Sequence, residues 1–185
     1  MEQFKWALLI LPLISLIGVI LLYLYFKNRV TNKYRYTYYI IKIALTAFSF
    51  NIVWELFHGL LYEGFLYDWS HIRMCLLASV TDMLTLLVML FGLGIFYKNI
   101  FWSQRLSIQK IVMIMITGGT GTILLERWHI ATNHWKYAEE MPLLPIIDVG
   151  LTPFLQFTLL PIVIFIVGGI ISRNSFRNRR FQKKI

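Results

Sequence analysis

The chain has 185 residues, 58% of them hydrophobic, with a mean hydropathy of +0.65. That excess over a soluble domain predicts an integral membrane protein, read here as one transmembrane domain over residues 1–185. The formal charge of +9 would suit a nucleic-acid partner, but the lysines and arginines sit in short loops beside apolar runs, where they set topology. The single Cys75 excludes a disulfide framework and a CxxC motif.

The first apolar run, Trp6 to Phe26, is longer than a signal-peptide core and leads into basic residues without an A-x-A-type site, so it reads as a span. Four more stretches follow, and the predicted spans lie near 6–26, 38–62, 74–97, 110–127 and 150–172. At about 1.5 Å per residue each can cross about 30 Å of hydrocarbon. The fold expected is therefore an all-α bundle of five transmembrane helices. The fourth span is the least hydrophobic, and its run from Thr117 to Thr122 (TGGTGT) invites close backbone approach within or between chains, leaving oligomeric state open.

Charge sets the orientation. Of the 18 lysines and arginines, all but Lys5, Arg73, Arg127 and Lys136 fall in the first loop, with Lys42 just inside the next span, in the third loop, or in the tail 173–185. The positive-inside rule makes that side, and the C-terminal tail, cytoplasmic and the N-terminus external. All nine acidic residues and all four histidines gather towards the other side. Helices two and three are joined by a short loop and are expected to lie antiparallel. Glu55 and Asp82 then share one depth, about 10–12 Å beneath the outer interface, and Glu126 and Asp148 lie near the same surface.

Within the second span, Asn51, Glu55, His58 and Tyr62 repeat with helical spacing and form one stripe, flanked by Trp54. Ionisable groups at membrane depth are costly and mark candidate functional sites. Glu55 and Asp82 suit a general acid and base, since burial and a neighbouring carboxylate both disfavour ionisation. A carboxyl kept protonated can deliver its proton to an olefin, epoxide or carbonyl. The competing reading is structural, with Glu55 held by Asn51 or His58 to lock helix packing.

Glu55-x-x-His58 and Glu126-x-x-His129 repeat the spacing used by di-iron bundle proteins, with Asp82 and Asp148 as further oxygen donors, which makes a metal site a weaker alternative. The loop from Trp128 to Pro153 brings Trp135 and Tyr137 together with Met141, Pro142 and Pro145, and is expected to form a stiffened lid. Its aromatic rings can shield a cation, or simply form an interfacial belt. Ser79, Gln156 and Thr158 are supporting polar candidates, although such residues commonly bond their own helix carbonyls.

The combination of NxxWE (Asn51, Trp54, Glu55), Asp82, Glu126, W-x-Y (Trp135, Tyr137), MPLLP and GLTPFLQFTLLP resembles a group of small bacterial multi-pass membrane proteins, over about Asn51 to Pro161. At His58 that group more usually has glutamine. NxxWE in a membrane helix is also similar to a motif of integral-membrane terpene cyclases, which have more spans. That resemblance implies Glu55 as the proton donor and Asp82 as its partner in cyclising a prenyl chain.

The expectation that follows is an integral-membrane enzyme of the bacterial plasma membrane, cyclising or isomerising an isoprenoid or other lipid in an outer-leaflet pocket. Glu55, Asp82 and Glu126 would carry the proton chemistry, and Asn51, Trp54, His58, Tyr62, Trp135 and Tyr137 would contact substrate. The scheme needs no cofactor and no nucleic acid. The alternatives are a non-catalytic membrane subunit or transporter component, and a di-iron lipid oxidase or desaturase using Glu55, His58, Glu126 and His129.

Overall fold

The computed structural model describes residues 9–182, with side chains through 173. Residues 6–8 of the expected first span, residues 183–185 and the tail side chains beyond 173 lie outside the described residues. The described chain is helical apart from its loops and two isolated bridges. The helices are α1 (Ile10–Lys27), α2 (Lys33–His58), α3 (Trp69–Phe96), α4 (Ile108–Ala131), α5 (Leu151–Thr158) and α6 (Leu160–Gln182). Five stretches are long and apolar enough to cross a membrane: α1, α2 with its following turn, α3, α4, and the combined α5–α6 stretch through Arg173.

Helix ends follow local chemistry. Asn32 caps α2 by accepting from the Arg35 amide at 2.8 Å, and Asp68 caps α3 by accepting from the His71 amide at 2.9 Å. These caps start both helices five residues before the apolar runs begin, because a cap satisfies the first-turn amides whatever the polarity of the next residues. At the C-termini of α3 and α4 the chain turns through left-handed residues, Lys98 (φ 51°) and Asn133 (φ 53°). The Asn99 amide reaches back to Gly94 O and the His134 amide to His129 O, both at 3.0 Å, closing two Schellman turns. The second turn folds His134 back over its own helix.

The fifth span is not one unbroken helix. Pro161 has no amide hydrogen to give the Phe157 carbonyl, so the helix breaks at Leu159 between α5 and α6. The freed carbonyl packs on α4 at Gly118, where a Cβ would collide with it. Glycine at 118 is thus required by this close approach, within one chain.

Helix α2 packs between α3 and α6, α1 lies along α3, and α4 packs on α5. Helices α3 and α4 barely touch, leaving a cleft between them. One end of the bundle, carrying Arg29, Lys98 and Arg105 in its loops and Arg35 in the first turn of α2, holds the hydrophobic core, including Tyr36, Tyr39, Leu90, Phe91, Trp102 and Phe165. The other end carries the acidic residues and most of the buried polar side chains, among them Asn51, His58, Glu126, His129 and Gln156.

Candidate functional site

The site is organised by Gln156, on the short helix α5. Its Nε2 donates towards Glu55 Oε1 at 2.9 Å, Asp82 Oδ2 at 2.9 Å and Asn51 Oδ1 at 3.1 Å. Gln156 and Asn51 are almost fully buried, and Asn51 is itself fixed by donating to Ala47 O at 2.9 Å. One amide therefore joins α2, α3 and α5 and brings together the two carboxyls expected to meet. An amide nitrogen carries two hydrogens and here faces three acceptors. A proton residing on one of the carboxyls would supply the missing donor.

Glu126, from α4, sits beside this pair but has its own partners. The Tyr137 hydroxyl donates to its Oε2 at 2.5 Å and Trp135 Nε1 approaches it at 3.4 Å. The Gly150 amide in turn donates to the Tyr137 oxygen at 3.0 Å, so the phenol is oriented from both sides. Burial first, and then the bond to Glu126, hold the Tyr137 phenol well above its usual range, which keeps it a donor.

His58 lies 3.8 Å from Glu55 Oε1 through Nδ1 and 3.4 Å from the Tyr62 hydroxyl through Nε2. The helical stripe expected to carry Tyr62 ends before it. Helix α2 stops at His58, a 3-10 turn covers Gly59–Leu61, and Tyr62 is extended. It reaches the site because it pairs with Tyr137 in an isolated antiparallel bridge, backed by Glu63 N to Lys136 O and Ala138 N to Leu61 O, both 2.9 Å. The expected lid is thereby stitched to the end of α2. Met141 is buried under it, and Leu143 pairs with Gly150.

The open cavity there has a volume of about 330 Å³ and is bordered by Glu55, His58, Tyr62, Asp82, Glu126, Trp135 and Gln156, among others. Among the described residues no lysine or arginine lines it. Trp54 is not part of that wall. Its ring lies 6.3 Å from His58, and its Nε1 is buried without a hydrogen-bond partner. Tyr137 also stands behind Glu126 and not in the wall.

The two Glu-x-x-His pairs are not drawn into one centre. His129 Nδ1 lies 2.9 Å from His134 Nδ1, and its ring stacks on Trp135 at 3.9 Å. Among the described residues no three His, Cys, Asp or Glu side chains are grouped as a metal ion needs. Ser79 and Thr158 bond the carbonyls one turn back, to Cys75 at 2.7 Å and Phe154 at 2.8 Å, and take no part in the site.

Sequence reasoning placed Gln156 in support, whereas it is the hub. The available signal was one amide in an apolar run, LTPFLQFT, preceded by a proline of the kind tolerated in the first turn of a helix. His134 was not expected at the site, because only the Schellman turn brings it back to His129. Compared with protein-family models, curated proteins and solved structures, the chain matches none of them.

Proposed function

We propose that this protein is an integral-membrane enzyme that cyclises or isomerises an isoprenoid or other lipid by proton transfer. The observation that carries the reading is the single Gln156 amide shared by Glu55 and Asp82, beside a cavity that no lysine or arginine lines among the described residues. A carboxylic acid in that pair donates its proton to an olefin, epoxide or carbonyl, and the resulting cation gives up a proton to the other carboxylate. The two carboxyls then exchange one proton to restore the starting state, so the reaction is redox-neutral and consumes nothing but substrate. Glu55, flanked by His58, is the donor and Asp82 the acceptor. Glu126, already bonded by Tyr137 and Trp135, assists as a third carboxyl held in place near the cation. The faces of Tyr62 and Trp135 stabilise that cation and exclude water.

The positive-inside rule supports placing the acidic end at the outer leaflet of a bacterial plasma membrane, with the C-terminus cytoplasmic. A second reading has a specific observation in its favour. The Asn51–Gln156–Glu55–Asp82 network links three helices, as a purely structural lock in a non-catalytic membrane subunit or transporter component would.

The test compares lipid extracts from cells expressing wild type and Glu55→Gln at matched levels. The enzyme reading expects a lipid species that appears or disappears only with wild type. Identical extracts from two folded, inserted proteins would establish the structural lock instead.

A further inference from the structure

Beneath the carboxyl pair the cavity does not end. A second space of about 150 Å³ shares Asp82, Glu126 and Phe157 with it, and a third of about 280 Å³ shares Thr85, Thr122 and Phe157 with the second. The three follow one another along the open α3–α4 cleft, each sharing lining residues with the next. From Asp82 to Leu93, the deepest α3 residue that lines it, the helix descends about 16 Å.

The cleft is apolar in the sense that matters for a ligand. The Thr117 and Thr122 hydroxyls are turned to their own helix, onto Met113 O and Gly118 O. Among the described residues no lysine or arginine lines any of the three spaces, and no charged residue lines the deepest. Gly92 and Gly121 face open space, with no atom within 4 Å of where a Cβ would stand, whereas Gly118 is closed off by Phe157. The first two therefore keep the cleft empty, and the third packs helices.

We propose that the α3–α4 cleft is the chain-binding groove of this site, admitting the hydrocarbon tail of an uncharged single-chain lipid sideways from the bilayer, with its reactive end at Glu55 and Asp82. The inference rests on the reading of those carboxyls as acid and base. Its commitment to an uncharged head follows from the site's charge. A phosphate or diphosphate would meet four carboxyl groups, Glu55, Glu63, Asp82 and Glu126, and among the described residues no lysine or arginine, a juxtaposition that costs binding energy, whereas an alcohol, aldehyde, ketone or olefin terminus meets hydrogen-bonding partners it can use. Gly92 and Gly121 set how long a tail fits.

The probe is hexadecanol carrying a terminal diazirine, photolysed with the full chain in lipid nanodiscs and mapped by mass spectrometry. The expected labels fall on the Met89–Gly92 and Thr117–Gly121 stretches, above the level at Leu124, which faces outward with 66% exposure. Excess hexadecanol suppresses them and hexadecyl phosphate does not. Gly121→Phe and Gly92→Phe, which fill open space, each reduce groove labelling about tenfold, equivalent to about 1.4 kcal/mol, while Leu124→Phe leaves it unchanged. Glu55→Gln retains the labelling, since the groove does not depend on the chemistry. Labelling no higher than at Leu124, indifference to both glycine variants, or equal competition by the phosphate would each overturn the proposal. Lipid conversion without groove labelling sinks the groove alone, and groove labelling without any conversion sinks the enzyme reading alone.

Discussion

At the basic end, Trp102, Tyr39, Phe91 and Phe165 fill the space between helices, and their polar atoms are matched. Trp102 Nε1 donates to Leu90 O at 2.9 Å, Tyr39 shares a 2.5 Å bond with Ser103, and Lys110 caps two loop carbonyls. At the acidic end, four carboxyls border open space, and one amide serves three acceptors. Packing and satisfied bonds hold membrane bundles together, so the first region carries the fold. The second is built with donors short and volume unfilled, which a stability role alone does not require. The division teaches where to look for function: in the half whose polar groups are not all satisfied by the protein.

The largest stability effect belongs to the packed half. Trp102→Ala removes a side chain only 2% exposed and leaves the Leu90 carbonyl without its donor. It should cost about 3–5 kcal/mol in a reversible denaturant titration. Glu55→Gln, in the other half, should leave the same titration within about 1 kcal/mol while abolishing lipid conversion. If Glu55→Gln proves as destabilising as Trp102→Ala, the division between the halves is wrong and the polar cluster is itself part of the structural core.

Next in size is Tyr137→Phe. The phenol orients Glu126 and accepts from the Gly150 amide, so its loss leaves a buried carboxyl and a buried amide each short of a partner. Hydrogen bonds to charged groups are worth about 1.5–3 kcal/mol. The variant should lose about that much in stability and, because Glu126 is no longer held in place, turnover of any identified lipid substrate should fall as well, by about a factor of 10–150. A fall in stability with unchanged turnover would move Tyr137 from the site to the scaffold of the lid.

Much of this contrast was legible in the sequence and part of it was not. The five spans, the charge asymmetry and the shared depth of Glu55 and Asp82 follow from hydropathy, loop charge and helical rise, which are local or one-dimensional properties. The break at Leu159 was also present in the letters, since Pro161 cannot donate to Phe157. What could not be read was which helices fail to touch. The α3–α4 cleft depends on α5 seating against Gly118 through a freed carbonyl, a tertiary fit with no periodic signature. The same holds for Trp54, which flanks the polar stripe in sequence yet turns out of the cavity wall.

The smallest expected effect compares the two helix caps, one from each end. Asn32 caps α2 with a neutral amide and Asp68 caps α3 with a carboxylate, each accepting from the amide three residues on. Bonds first from the His71 backbone amide and then from its ring hold the Asp68 carboxyl below its ordinary range. A carboxyl depressed in the folded state stabilises at pH above its unfolded value, and that contribution is lost as pH falls through the folded value. The Asn32 amide has no such transition. Hydrogen-exchange protection factors followed into acid should therefore fall at His71 and Ile72 while those at Arg35 and Tyr36 hold. Asp68→Asn should remove the difference, because an amide can still cap but cannot titrate. Parallel loss at both caps in wild type would mean that acid loosens the bundle as a whole. The acidic end would then not be the separately adjustable half that its open cavity and shared amide imply.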